Sequence, residues 1–249
     1  MRRPIMAGNW KMYKTPAETS AFFEKFRPLV AGTNHCEVVI CPPFVDLAAA
    51  VESARGTMIE IGGQNLFWGQ EGAYTGEVSG QMLRAAGCRW ALVAHSERRQ
   101  YFGETNENAA KRILGALEVG LTPVYCVGEM LDDRQSGKTE QVLETQFQGG
   151  LARLTAEQFD KLVVAYEPVW AIGTGKVATP EIAADAHRFI RDQVRKLFGP
   201  GAAAACRILY GGSVKPDNIR GLMAQPEIDG ALVGGASLDP VSFASIVNF

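Results

Sequence analysis

Residues 162–168 read LVVAYEP, in which a short apolar run at 162–165 is followed by Tyr166, Glu167 and Pro168. The run is too short for a typical helix, and it is apolar throughout instead of alternating with polar residues. This pattern is typical of a parallel strand that is buried on both faces. Seven similar runs occur at residues 4–7, 37–41, 58–61, 90–94, 121–126, 207–210 and 230–233. The sequence therefore predicts eight parallel strands.

Amphipathic stretches with a helical period lie between these runs. The clearest is residues 180–198, where Pro180 suits the first turn of a helix and His187 is expected at the surface. Residues 106–119 and 138–154 follow the same period. An earlier apolar helix face is predicted to contain Phe22, Phe23, Phe26, Leu29 and Val30.

Strand and helix alternate eight times over 249 residues, or about 31 residues per unit, which favours parallel βαβ units. Eight such units suit a closed (β/α)8 barrel of the α/β class with an eight-stranded parallel sheet. A doubly wound open sheet of similar length is the alternative. Because no linker or low-complexity tract divides the chain, we expect one domain over residues 1–249.

The composition excludes several functional classes. Apolar residues make up 47% of the chain, and its 25 Lys and Arg against 27 Asp and Glu form no basic stripe, so we expect no nucleic-acid partner. No apolar run approaches the roughly 20 residues that span a bilayer, and no secretion signal is evident, so we expect a cytoplasmic protein without a membrane partner. Five scattered cysteines without C-x-x-C spacing predict free thiols.

Polar residues directly after the strands are the candidates for chemistry, because parallel barrels place their active sites at the carboxyl ends of the strands. Asn9 and Lys11 follow the first run, His95 and Glu97 the fourth, and Glu167 closes the sixth. His95 begins a predicted helix, whose dipole disfavours an imidazolium, so we expect a neutral ring. A structural histidine and a helix-start carboxylate at Glu97 are the alternatives.

Glycine pairs follow the last two strands: Gly211 and Gly212 precede Ser213, and Gly234 precedes Gly235. Glycine lets backbone N–H groups approach a phosphate, and a following helix start adds a favourable dipole. Barrels commonly bind phosphate after strands 7 and 8, so the two turns predict a phosphate site. Tight turns without a ligand are the alternative.

Residues 168–176 read PVWAIGTGK and combine apolar side chains that exclude water with small residues that bend. This composition predicts a lid. The segment is not a Walker loop, because Trp170 and Val177 stand where that motif needs Gly and Ser or Thr. The sequence also lacks a serine-hydrolase elbow, an HExxH motif and a dinucleotide glycine fingerprint.

Five segments, in order along the whole chain, resemble the triosephosphate isomerase family. They are NWKM at 9–12, AHSERR at 94–99, YEPVWAIGTG at 166–175, YGGS at 210–213 and VGGA at 233–236. The resemblance implies an isomerase that interconverts dihydroxyacetone phosphate and D-glyceraldehyde 3-phosphate through an enediolate, in glycolysis and gluconeogenesis. It implies no metal and no organic cofactor.

The resemblance also implies a role for each matching residue. Glu167 would be the base that moves a proton between neighbouring carbons, and neutral His95 would polarise the carbonyl. Lys11 would supply positive charge, Asn9 would contact the substrate and Glu97 would order Lys11. Backbone N–H groups would hold the phosphate at Gly173, Ser213, Gly234 and Gly235, with Gly173 arriving as the lid closes.

The long irregular connection at residues 62–79 matches the arm that packs into a neighbouring subunit in this family. The resemblance therefore implies a homodimer formed through the loop around Thr75. Two positions depart from the family pattern: Ala94 stands where Gly commonly precedes the histidine, and Tyr13 with Lys14 replaces a frequent Asn-Gly pair.

Two other functions remain open on the residues alone. An aldolase for sugar phosphates would use Lys11 as a Schiff base, and the glycine turns would serve it equally well. A catalytically silent phosphate-binding or scaffold protein would bind the phosphate without turnover.

Overall fold

The structure is a computed structural model that describes residues 2–172 and 178–249. It contains eight strands: β1 (Ile5–Asn9), β2 (Glu37–Cys41), β3 (Ile59–Gly63), β4 (Trp90–Val93), β5 (Thr122–Val127), β6 (Val163–Tyr166), β7 (Ile208–Tyr210) and β8 (Gly230–Val233). All neighbours are parallel, and β1 pairs with both β2 and β8, which closes the barrel. The predicted (β/α)8 barrel is confirmed, and the open-sheet alternative is excluded.

Helices connect the strands on the outside of the barrel. They are α1 (Pro16–Val30), α2 (Leu47–Ala54), α3 (Gly80–Ala85), α4 (Ser96–Phe102), α5 (Asn106–Glu118), α6 (Leu131–Gln135), α7 (Thr139–Leu151), α8 (Ala156–Phe159), α9 (Pro180–Ala205), α10 (Ile219–Met223) and α11 (Pro240–Val247). Within α9, Gly199 has a φ of 90°, so the regular helix ends after residue 198, as the sequence predicts.

Alternate strand residues pack in two separate layers. Outward side chains such as Val38 and Ile40 join the helices in the larger core. The inward side chains fill the barrel: Ile5, Ala7, Val39, Cys41, Trp90, Leu92, Val124, Cys126, Val163, Ala165, Leu209 and Leu232. Asn9 and Glu167 continue the inward series at every second position, so this alternation directs both side chains toward the barrel mouth.

Two side chains differ from the sequence-based expectations. Leu29 is 43% exposed, whereas its expected partners on the α1 face are buried. His187 was expected at the surface and is fully buried, so that expectation is wrong. Its position explains the difference, because His187 lies on the same stripe of α9 as buried Ala183 and Ile190.

His187 is held by a backbone carbonyl and an aromatic ring. Its Nδ1 lies 3.2 Å from the carbonyl oxygen of Glu227, and its ring packs edge-on against Tyr166 at 5.8 Å. Burial lowers the pKa of His187 from 6.5 to about 3, so the ring is neutral over the physiological range.

Among the residues that the structure describes, no helix combines the length and apolar character needed to cross a membrane. The assignment of one domain to residues 1–249 stays a prediction.

Candidate active site

A cavity of about 590 Å³ opens at the carboxyl ends of the strands. Seven of the nine predicted site residues line it: Asn9, Lys11, His95, Glu167, Ser213, Gly234 and Gly235. Glu97 lies beside the cavity and contacts two of them. Gly173 lies outside the described residues. Residues up to 226 positions apart in sequence therefore meet at one mouth because each follows a strand of the same barrel.

His95 and Glu167 face each other inside this cavity. Nε2 of His95 lies 2.7 Å from Oε1 of Glu167, and both side chains are almost completely buried. Oε2 of Glu167 accepts a hydrogen bond of 2.9 Å from the backbone N–H of Ser96. The backbone of Glu167 is fixed in turn, because its N–H donates to the carbonyl of Val127 at 2.7 Å.

The two buried groups shift each other's pKa. Burial opposes the ionised carboxylate, but His95, the Ser96 N–H and Lys11 outweigh burial and lower the pKa of Glu167. Burial also opposes the imidazolium, but the Glu167 carboxylate outweighs it and raises the pKa of His95. This direction is opposite to the neutral ring expected from the helix dipole, and the reason is the carboxylate beside the ring.

The other ring nitrogen of His95 caps a helix. His95 is the residue before α4, and its Nδ1 accepts a hydrogen bond of 3.3 Å from the backbone N–H of Glu97. An acceptor nitrogen carries no proton, so a neutral ring bears its proton on Nε2, the nitrogen that faces Glu167. The helix start therefore orients the ring and selects its tautomer.

Lys11 has an unusual backbone conformation that its neighbours support. Its φ is 54°, in the left-handed region that residues with a side chain seldom adopt. Its N–H donates to Oδ1 of Asn9 at 3.0 Å, and its carbonyl accepts from Nε2 of Gln64 at 2.8 Å. Its Nζ lies 2.5 Å from Oε1 of Glu97. The ammonium is thus held between the cavity and Glu97.

The end of the cavity that is predicted to bind phosphate is built from backbone. Within the described part of the chain, the N–H groups of Ser213 and Gly234 donate to no protein acceptor. A Cβ added at Gly235 would meet nothing within 4 Å, and one at Gly234 would come no closer than 3.5 Å to Lys11. Open space in front of these turns leaves their N–H groups accessible to an anion.

The first part of the predicted lid is tied to a buried carboxylate. Nε1 of Trp170 donates to Oε1 of Glu129 at 2.9 Å, and the hydroxyl of Tyr166 lies within 3.1 Å of both carboxylate oxygens. Burial raises the pKa of Glu129. Residues 173–177 lie outside the described residues, so the predicted lid is described only as far as Ile172.

Sequence reasoning missed three contributors to this site. Gln64 lies in the connection at residues 62–79 that is predicted to form the subunit arm, and the sequence predicts no role at the site for Ser96 or Glu129. Gln64 directly follows β3, so the strand-end rule that selected Asn9 and Glu167 was sufficient to find it. Ser96 and Glu129 act through contacts 71 and 41 residues along the chain, which no local pattern signals.

A family model described as triosephosphate isomerase matches residues 4–249. The triosephosphate isomerase of Solibacter usitatus (strain Ellin6076) is 70% identical over 249 residues, and the match covers 100% of this chain and 100% of the relative. The chain belongs to the triosephosphate isomerase family. The enzyme of that name from Moorella thermoacetica is 57% identical, with 100% of this chain and 99% of the relative covered.

A solved structure agrees with this assignment. The crystal structure of triosephosphate isomerase from Bartonella henselae has a TM-score of 0.89 at 37% identity, covering 99% of this chain and 98% of that one. The family, the fold and the enzyme class expected from the sequence are therefore confirmed. The family name implies that the chain is an isomerase and that its substrate is a triose phosphate.

Proposed function

We propose that the chain interconverts dihydroxyacetone phosphate and D-glyceraldehyde 3-phosphate through an enediolate, as a step of glycolysis and gluconeogenesis. The observation that carries this proposal is the 2.7 Å approach of Glu167 and His95 inside one cavity. An aldose–ketose isomerisation needs a base at a carbon and a hydrogen-bond donor at the neighbouring oxygens. These two side chains supply one of each.

Glu167 acts as the base. Its lowered pKa keeps the carboxylate ionised at neutral pH, and its burial removes it from bulk water. The carboxylate takes a proton from the carbon beside the carbonyl and returns it to the adjacent carbon. Before that step, the incoming carbonyl replaces Glu167 next to Nε2 of His95.

His95 acts as a neutral electrophile once the substrate is bound. The substrate oxygen separates the ring from Glu167, the contact that raises the pKa of His95 in the free protein. Burial, the largest single influence on the ring, then favours the neutral form. Nε2–H polarises the carbonyl and transfers protons between the two oxygens of the enediolate.

Lys11 stabilises negative charge on the enediolate and on the phosphate. Its ion pair with Glu97 holds the ammonium at the edge of the cavity, and its backbone is fixed by Asn9. Asn9 contacts the substrate with its remaining side-chain groups. Fixed charges and dipoles of this kind need no rearrangement when charge develops during the reaction.

Backbone N–H groups of Ser213, Gly234 and Gly235 bind the phosphate, and Gly173 joins them when the lid closes. The free N–H groups of the first two and the open space at Gly235 support this assignment. A closed lid keeps water away from the enediolate and suppresses loss of its phosphate. The reaction requires no metal and no organic cofactor.

We also propose a cytoplasmic homodimer formed through the loop around Thr75. Large side chains are exposed in this loop and beside the site residue Lys11: Tyr74 in the loop is 50% exposed, and Tyr13, two residues after Lys11, is 58% exposed. Met12, the residue after Lys11, is 92% exposed. Apolar groups of this size next to site residues suit a subunit contact that supports the site.

A coupled assay of the purified protein with D-glyceraldehyde 3-phosphate tests the proposed reaction. We expect turnover that is insensitive to chelators. Phosphate binding without turnover would instead support the scaffold alternative.

Treatment with borohydride in the presence of substrate tests the aldolase alternative. A Schiff base needs an amine that is free to attack a carbonyl, whereas Nζ of Lys11 is held 2.5 Å from Oε1 of Glu97. We therefore expect no covalent adduct on Lys11 by mass spectrometry. A trapped adduct together with carbon–carbon cleavage would replace the isomerase assignment.

A further inference from the structure

Ala94, the residue before His95, has a backbone conformation that alanine rarely adopts. Its φ is 59°, and its side chain is completely buried. A residue with a Cβ pays a steric penalty in this left-handed region, so the surrounding structure must hold it there. The group that holds Ala94 in this conformation also sets the direction of the backbone at His95.

The guanidinium of Arg99 holds Ala94. Its Nε donates to the carbonyl of Ala94 at 3.0 Å. Its Nη2 donates to the carbonyl of Cys126 at 3.2 Å and to the hydroxyl of Tyr125 at 3.3 Å. Its Nη1 donates to Oδ1 of Asn106 at 2.8 Å. All four acceptors are neutral, so these contacts orient the planar guanidinium without an ion pair.

The two carbonyls that Arg99 connects are the next pair in the β4–β5 register. The last paired residues are Val93 and Tyr125, so one further step would pair Ala94 with Cys126. The left-handed turn at Ala94 ends the ladder, and the guanidinium bridges the two carbonyls in its place. Arg99 thus extends the connection between β4 and β5 by one residue, up to the start of the active site.

This connection reaches both reacting side chains. His95 directly follows Ala94, and Val127, which follows Cys126, accepts the hydrogen bond from the backbone N–H of Glu167. We propose that Arg99 is a positioning residue, which fixes the distance between His95 and Glu167 through these two backbone contacts. The inference rests on the proposed roles of His95 and Glu167.

The first test is Arg99→Lys, which keeps the charge and removes the fork of donors. We expect kcat to fall about tenfold with KM for the triose phosphate unchanged, because the phosphate turns do not contact Arg99. Arg3→Lys is the matched control, since Arg3 also donates to two main-chain carbonyls, at the amino end of the barrel. It should leave kcat unchanged. Turnover of Arg99→Lys within twofold of the parent protein would overturn the proposal.

The second test is rescue by Ala94→Gly. Glycine adopts a φ of 59° without a steric penalty, so it depends less on Arg99 to stay there. We expect Ala94→Gly to recover several-fold of the kcat that Arg99→Lys loses. If Arg99→Lys does not fold, the proposal requires the double variant to fold and turn over. A double variant that is no better than Arg99→Lys, in folding or in kcat, contradicts it.

The third test separates this inference from the proposed function. Since Arg99 acts through the placement of His95 relative to Glu167, Arg99→Lys should lower kcat clearly less in a His95→Gln background than in the parent protein. Additive losses would refute the role of Arg99 alone. Near-normal turnover of His95→Gln itself would instead refute the proposed function.

Discussion

The cavity has two halves that are built in different ways. The half formed at β1, β4 and β6, called the charged half because it holds Lys11 and Glu167, consists of polar side chains. These are held by further hydrogen bonds, as the side chain of Lys11 is by Glu97 and that of Glu167 is by Ser96. The half formed at β7 and β8 consists of glycine turns in which, among the residues that the structure describes, the N–H groups of Ser213 and Gly234 donate to no protein acceptor. A flexible side chain needs supporting contacts, whereas a backbone donor is already fixed by the fold.

This difference leads to different consequences of substitution. Changes in the charged half should lower kcat, because they alter groups that act in the transition state. Changes in the glycine half should raise KM, because they alter binding of a phosphate that takes no part in the chemistry. The following five predictions test this division, from the largest expected effect on catalysis to the smallest.

Glu167→Asp should lower kcat by about two powers of ten or more, because it withdraws the carboxylate by about one methylene from the reacting carbon. The kinetics of the coupled assay measure this. Inorganic phosphate should inhibit the variant and the parent protein equally. Near-normal turnover would remove Glu167 from the role of base.

His95→Gln should lower kcat about a hundredfold while KM changes little, because the amide keeps a donor but cannot exchange protons between the oxygens. Steady-state kinetics separate the two constants. A change confined to KM would place His95 among the binding groups instead.

Gly211→Ala should lower kcat about tenfold, because the added Cβ would lie 2.9 Å from Cγ of Glu167 and 3.1 Å from the carbonyl of Tyr166. The carboxylate must move to relieve this contact. Gly211 belongs to the glycine half, but its added Cβ would contact Glu167 of the charged half. A loss in kcat would therefore show that the two halves meet at Glu167. An effect on KM alone would show that Gly211 acts in phosphate binding and not on Glu167.

Gly235→Ala should raise KM several-fold with kcat nearly unchanged. Its Cβ meets no atom within 4 Å in the free protein, so the new methyl enters the space assigned to phosphate. Gly32→Ala is the control, since it also meets nothing within 4 Å but lies in the turn after α1. Inhibition by inorganic phosphate should weaken in parallel with the rise in KM. An unchanged KM would place the phosphate elsewhere.

His187→Leu should leave kcat at neutral pH unchanged, because His187 contacts neither half of the cavity. Its effect should appear in stability. The imidazole titrates near 6.5 in the unfolded chain and at about 3 in the folded protein, so the unfolded chain binds the extra proton between these values. Stability should therefore fall as the pH is lowered through this window, by about 1.4 kcal/mol per pH unit from this residue.

Urea unfolding of the parent protein and of His187→Leu at several pH values, at one protein concentration, measures this contribution. The free energy of unfolding of the variant should decline less steeply below pH 6.5. Equal slopes would show that His187 is protonated in the folded state or is not responsible for the pH dependence.

The sequence predicts the barrel and much of its site because both depend on local patterns. Each strand is an apolar run, and parallel strands end at one mouth, so Lys11, His95 and Glu167 are found by their positions after strands. The predicted strand bounds differ from the observed ones by at most two residues, since a strand also includes polar residues such as Asn9.

The supporting contacts are not predictable in the same way. Gln64, Arg99 and Glu129 act on residues that are brought near by the closed barrel, and their sequence neighbourhoods carry no sign of those partners. The direction of the pKa shift of His95 cannot be predicted from its sequence neighbourhood either. It depends on Glu167, 72 residues away, and not on the helix start alone.

The pairing of β1 with β8 has a consequence for synthesis on the ribosome. The first strand to emerge gains one of its two neighbours only when residues 230–233 have been translated. Until then, the edges of β1 and of the growing sheet stay open to unwanted pairing. Asn9 and Gly234 lie at this last seam, so a nascent chain completes the cavity only after residues 230–234 have been translated.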